Sequence, residues 1–202
     1  MAIWSRYLSK SNFQLIKKAL YFLLFSIAHL MTIVAIMYAF WPIAKWYLDY
    51  RPVWGVDFLL LNTLTHLLSE NLVWPPASWN YGWFAGFPMF FYPLLHVYIG
   101  VIFNHFFDLV VGTQLWMLAS TVLFVIGSYF LFFTVSRNFI LSGVLAIATA
   151  YSSGVYQTLT WAGSLPSYAT QAAFPWSLGF LVLFLATGKT RFLFACSLVA
   201  GV

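Results

Sequence analysis

Read for apolar and polar positions, the chain falls into long apolar runs parted by short polar or aromatic breaks. The first run, residues 19–40, is about long enough to cross a bilayer as one helix. Further runs follow at residues 94–111, 115–135, 139–150 and 172–187, and another begins at Phe192 and reaches Val202. That last run is about half of spanning length and meets no polar stop, which predicts that a longer module continues beyond it. The pattern predicts an all-α, polytopic transmembrane helix bundle. Residues 1–202 are expected to form a single transmembrane domain, the N-terminal part of a longer module.

A second period appears outside the spans. Over residues 58–69, Leu60, Leu61, Leu64, Leu67 and Leu68 make one helical face, and Asn62, Thr65, His66 and Ser69 make the other. This predicts an amphipathic juxtamembrane helix with its leucines in lipid or on the bundle. Residues 42–93 as a whole are predicted as an extracytoplasmic aromatic loop. Counted from Trp41 to Pro93, this part of the chain holds three of the four acidic residues and six of the ten tryptophans. Trp and Tyr favour the headgroup layer, so the segment is expected to lie along the membrane surface.

Composition agrees with a membrane protein. Hydrophobic residues make up 63% and charged residues 6%, against roughly 25% charged in soluble domains. The net charge of +5 points to no nucleic acid, because the cations flank apolar runs, where they set orientation. Arg6, Lys10, Lys17 and Lys18 precede the first run and place the N-terminus in the cytoplasm. The run lacks the short core and small-residue cleavage site of a signal peptide, so it is read as a retained anchor. With Cys196 alone, no disulfide forms within the chain.

Charge also exposes a conflict. Arg137 and the Lys189/Arg191 pair belong in the cytoplasm, yet independent crossing by every run would put Arg137 outside. The conflict disappears if residues 94–135 make one net crossing. Asn104, His105, Asp108 and Gly112 lie mid-way through that stretch and predict an irregular element there. The polar turn over residues 151–168 then falls outside, beside the aromatic loop.

Candidate chemistry is sparse. The chain has no phosphate-binding glycine loop, and His29, His66, His96 and His105 have no spacing for a shared metal. Asp57 lies directly before the amphipathic helix, where it is placed either as a general base or as an N-cap. Glu70 ends that helix, as a second acid or as a solvated helix end. Asp108 sits in an apolar run, as a buried pathway residue or an interfacial one. Arg51 and Lys45 stand near the surface, placed to pair with a phosphate or to anchor in headgroups.

One stretch is more specific. "WNYGWFAGFPMFFYPLL", from Trp79, is uncharged, aromatic and broken by Gly82, Gly86, Pro88 and Pro93, so it is not expected to run as one helix. Together with the acid and amphipathic helix before it, it resembles the GT-C superfamily of integral-membrane glycosyltransferases. It is most similar to the group of 6-pyruvoyl-tetrahydropterin synthase-related membrane proteins. Their first outside loop reads Trp-Asn-Pro-Gly-Trp-Tyr-Ala-Gly-Tyr-Pro, then Phe-Tyr-Pro-Pro-Leu. The matching residues are Trp79, Asn80, Gly82, Trp83, Ala85, Gly86 and Pro88, then Phe91, Tyr92, Pro93 and Leu95, with Leu94 in place of the second proline. "GSLPSYATQAAFPWSL", from Gly163, is similar to the second family motif, a Gly-x-x-Pro turn before a helix. There the family usually carries a Glu at or just after the proline, whereas Ser167 and Tyr168 follow Pro166.

The resemblance implies transfer of a sugar from a polyprenyl-phosphate donor to an acceptor outside the cytoplasm, in a prokaryotic plasma membrane. It implies Asp57 and Glu70 as catalytic acids. Arg51, His66, Trp79, Trp83 and Tyr92 would bind substrate. It leaves open a divalent metal and names no protein partner; membrane lipid and the donor are the expected partners. The rival expectation is a non-catalytic membrane subunit or lipid-binding scaffold that keeps the aromatic loop.

Overall fold

The computed structural model describes residues 10–49, 65–66, 79–80, 87–88, 94–152 and 165–200. Six helices carry the fold: α1 Lys10–Leu48, α2 Leu94–Phe106, α3 Leu109–Ser136, α4 Phe139–Ala150, α5 Leu165–Thr187 and α6 Thr190–Ala200. Two two-residue strands, β1 Trp79–Asn80 and β2 Phe87–Pro88, accompany them. Three helical segments are long and apolar enough to cross a membrane, Gln14–Lys45, Leu109–Ser136 and Thr170–Thr187. The all-helical membrane bundle expected from the sequence is therefore what the chain forms.

Several boundaries differ from the sequence reading. Helix α1 has 39 residues and is ~58 Å long, nearly twice a bilayer's hydrocarbon thickness. It runs through Pro42 into the segment expected to be loop. The proline removes one backbone donor, but Phe40, Ile43 and Ala44 bury their side chains in the core and hold the helix together. The irregular element expected around Asn104, His105, Asp108 and Gly112 is a short break at Phe107 and Asp108. Asp108 has extended backbone and its carboxylate accepts from the Val111 N–H at 2.9 Å, so it starts α3 as an N-cap. Helix α5 begins at Leu165, with Pro166 in its first turn, where the missing N–H costs nothing. Of the amphipathic helix expected over residues 58–69, only Thr65 and His66 are described, and both are helical.

Side-chain pairs fix the direction of each helix. Phe25 meets Phe133 and His29 meets Tyr129, so α1 and α3 are antiparallel. The Tyr151 hydroxyl donates to the Ala39 carbonyl at 2.7 Å, while Gly143 faces Thr32, so α4 runs parallel to α1. Phe103 packs on Trp116 and Gly112 lies against Asn104, so α2 folds back along the first half of α3. Trp176 donates its indole N–H to the Leu123 carbonyl at 2.9 Å, and Phe180 packs on Phe130, so α5 runs parallel to α3.

These directions gather Lys17, Lys18, Arg137, Lys189 and Arg191 at one end of the bundle. The Asp49 and Asp108 carboxylates belong to the other end. Helices α2 and α4, with 13 and 12 residues, reach only about 20 Å.

The core lies between α1, α3 and α4: Ile36, Phe40, Trp116, Met117, Val125, Tyr129, Ala146 and Ala150 are buried. Its buried hydroxyls bond within their own helices. Ser120, Thr121 and Ser128 donate to the carbonyls of Trp116, Met117 and Phe124 at 2.9–3.0 Å, which removes the cost of an unpaired donor in an apolar interior. The first half of α1 is different. Residues 14–27 are exposed all round, as a lipid-facing segment requires.

Helices α3 and α5 meet where glycines leave room. A Cβ on Gly127 would lie 2.5 Å from the Trp176 indole and 3.0 Å from the Pro175 ring. Gly127→Ala should therefore lower stability by roughly 1–3 kcal/mol, read as a lower melting temperature in detergent. Topology has its own test. In a Cys196→Ser background, R137C and K189C should react with an impermeant maleimide from the same face of sealed vesicles, and S152C from the opposite face.

Candidate functional site

Asp57, Glu70, Arg51, Trp83 and Tyr92 lie outside the described residues. His66 and Trp79 are described. His66 is exposed on a helical turn, and its neighbour Thr65 is 2% exposed, packed over Gly100 of α2. A Cβ on Gly100 would lie 3.3 Å from the Thr65 side chain, so this turn sits close on α2. That contact holds the segment carrying His66 against the bundle.

Trp79 belongs to β1. It pairs antiparallel with Pro88 of β2, and Asn80 pairs with Phe87. The aromatic stretch thus doubles back on itself between residues 80 and 87. The proline takes part although it has no N–H to give, which suits a two-residue edge pairing. The expectation that this stretch is no continuous helix is met at the four residues described. Gly82, Trp83 and Gly86 fall between the strands, outside the described residues.

A second feature lies in the half of the bundle that holds α2. Helices α2, α3, α5 and α6 enclose an open cavity of about 380 Å³, lined by Ile99, Trp116, Leu123, Ala172, Trp176 and Leu198 among others. Among the described residues the lining carries no charged side chain. The Trp116 indole N–H, Tyr98 hydroxyl, Gln171 carbonyl and both Asn104 amide atoms are buried without a hydrogen-bond partner among the described residues. Buried polar groups are ordinarily paired. Trp116 borders the cavity directly and Gln171 is the sequence neighbour of Ala172.

Sequence reasoning picked out Asn104 but not Tyr98, Trp116 or Gln171. Tyr98 and Trp116 are each a single polar atom in an apolar run, Gln171 is one amide just before such a run, and none has a spacing signal. The remaining candidates resolve simply. Asp108 is an exposed helix cap rather than a buried pathway residue. His105 is exposed and edges Phe106. His29 sits in α1, bonded to the Tyr129 hydroxyl at 2.5 Å and flanked by Phe25 and Phe133. It ties α1 to α3. No group of three His, Cys, Asp or Glu side chains with metal-binding geometry occurs among the described residues.

No protein-family model matches the chain, and neither the curated proteins nor the solved structures contain a match to it.

What the arrangement can do chemically is hold an apolar chain. The cavity lining among the described residues is apolar and uncharged, as suits an apolar ligand. The hairpin pairing has a direct test. Opposed residues in an antiparallel pair have Cα atoms about 4.5–5.5 Å apart, within disulfide range. The double variant N80C/F87C, in a Cys196→Ser background, should lose both free thiols on mild oxidation, counted by maleimide mass shift. Two thiols retained would mean that the strands do not pair.

Proposed function

We propose that the chain is part of a GT-C-like membrane glycosyltransferase, moving a sugar from a polyprenyl-phosphate donor to an acceptor hydroxyl on the extracytoplasmic side. The observation that carries this reading is the antiparallel return of the aromatic stretch, Trp79 against Pro88. A hairpin presents aromatic side chains from a fixed frame, and flat rings suit sugar faces.

The basic end of the bundle is then cytoplasmic, by the excess of Lys and Arg there. The aromatic segment follows the far end of α1 and is extracytoplasmic. The membrane is a prokaryotic plasma membrane. The apolar cavity beside α2 lies in the same half as the His66 turn and suits the donor's lipid tail. Arg51 pairs with the donor phosphate, and His66, Trp79, Trp83 and Tyr92 hold the sugar.

Asp57 is the base. Its carboxylate takes the proton of the acceptor hydroxyl as that oxygen bonds to the anomeric carbon. The bond from that carbon to the phosphate oxygen breaks, and polyprenyl phosphate leaves with the electron pair. Glu70 is the second acid of the loop.

A non-catalytic lipid-binding scaffold is the rival, and one observation favours it: the cavity lining contains no carboxylate among the described residues. Asp57→Asn separates the two. Asn caps a helix about as well as Asp, whereas Ala costs roughly 1 kcal/mol. Asp57→Asn should abolish transfer of labelled sugar from a polyprenyl-phosphate donor in liposomes with the melting temperature unchanged, while Asp57→Ala should lower both. Full transfer by Asp57→Asn would remove it as the base.

A further inference from the structure

The basic end of the bundle carries a feature that sugar transfer does not use. Helices α1 and α4 leave between them an apolar groove of about 390 Å³. Ala28, Thr32 and Ala35 form one wall, and Ile140, Gly143 and Val144 the other. The groove is narrow at its floor, since a Cβ on Gly143 would lie 2.9 Å from Thr32. It is open at its lip, where Ile140 and Val144 are 67% and 58% exposed.

Cations lie toward the same end of the bundle as this groove. Arg137 lies three residues before Ile140, in the turn that leads into α4. Lys17 is five full helical turns from Ala35, and Lys18 five from Ile36, because 18 residues make five turns at 3.6 per turn. Both lysines therefore project along the lines that wall the groove. The levels agree as well. From the Phe25–Phe133 contact, Lys18 lies about 10 Å and Arg137 about 6 Å further toward the same end. Neither described carboxylate, Asp49 nor Asp108, belongs to that end.

Arg137 itself is costly where it stands. It has φ 55° and ψ 17°, the left-handed conformation that favours glycine. The equivalent turn between α5 and α6 meets the same demand with Gly188, at φ 66°. One turn thus uses the residue suited to the backbone, and the other uses an arginine above an apolar groove. A residue held in a costly backbone conformation points to a use for its side chain.

We propose that the α1–α4 groove and its basic cap bind one acidic glycerophospholipid of the surrounding bilayer. An acyl chain lies along the groove. The phosphate is held by Arg137 with Lys17 and Lys18. Charge complementarity selects this occupant: the groove is apolar, its mouth is cationic, and acidic lipids present that pairing in reverse. The site is independent of the sugar-transfer reading.

Native mass spectrometry in mild detergent, with phosphatidylglycerol and phosphatidylcholine supplied equally, tests the proposal. The unaltered chain should retain one phosphatidylglycerol in preference. Arg137→Gly should reduce that retention about five-fold, the equivalent of ~1 kcal/mol for one cation near an anionic surface. Its melting temperature should hold or rise, because glycine suits the backbone there, so the loss cannot be ascribed to unfolding. Arg137→Lys should keep most of the binding. Ile140→Trp, filling the groove from its open lip, should reduce retention of both lipids. Arg191→Gln removes the same charge from the same end, on α6, which packs on α5, and should change nothing. Equal losses in Arg137→Gly and Arg191→Gln would reduce the site to diffuse charge and overturn it. Unchanged retention in Arg137→Gly would overturn it too. So would efficient cross-linking of two copies through A35C in a Cys196→Ser background, which would make the groove a helix–helix interface.

Discussion

The close approach of α3 and α5 is the contact on which the arrangement of the bundle depends. In hydrocarbon, lipid chains are as apolar as leucine, so helices gain little by hiding apolar surface from each other. They associate through close packing, and Gly127 and Gly179 permit it. Trp176 and Pro175 sit over Gly127, and Phe130 sits over Gly179, each at a distance that any Cβ would occupy. The Trp176 indole adds a hydrogen bond to the Leu123 carbonyl across the same seam. Because both glycines are used at once, the two helices have one register. That register carries the turns after α3 and α5 to the same end.

Polar atoms within the bundle follow the same constraint of an environment without water. Serine and threonine hydroxyls of α3 return to carbonyls one turn back, and His29 and Tyr129 satisfy one another between α1 and α3. Asp108 is outside the core and spends its carboxylate on a helix N-terminus. The exceptions are Tyr98, Asn104, Trp116 and Gln171, which hold buried polar atoms without partners among the described residues; of these, Trp116 lines the cavity of α2, α3, α5 and α6. Unpaired polar groups are expensive in such surroundings.

The two ends of the bundle thus differ in chemistry. One end gathers five cations and the mouth of the α1–α4 groove. The other holds Asp49 and Asp108, and in that half the turn with His66 lies against α2.

The number and place of the apolar segments were legible in the sequence, because a bilayer demands long apolar helices whatever they pack against. Residues 139–150 matched α4 at both ends. The aromatic stretch was legible as non-helical from its glycines and prolines, and β1 and β2 agree. Boundaries were less legible. Composition could not reveal that Asp108 begins a helix, or that Ile43 and Ala44 bury deeply enough to carry α1 past Pro42, since both depend on neighbours distant in the chain. The conflict over Arg137 shows the division well. Sequence alone determined that Arg137, Lys189 and the N-terminal lysines belong on one side, through the charge asymmetry that orients membrane segments. Only the tertiary structure decided how they get there: α2 folds back on α3 instead of crossing beside it, and the paired glycines of α3 and α5 set those helices parallel. Helix direction and register are properties of side-chain contacts between segments, and no single segment contains them.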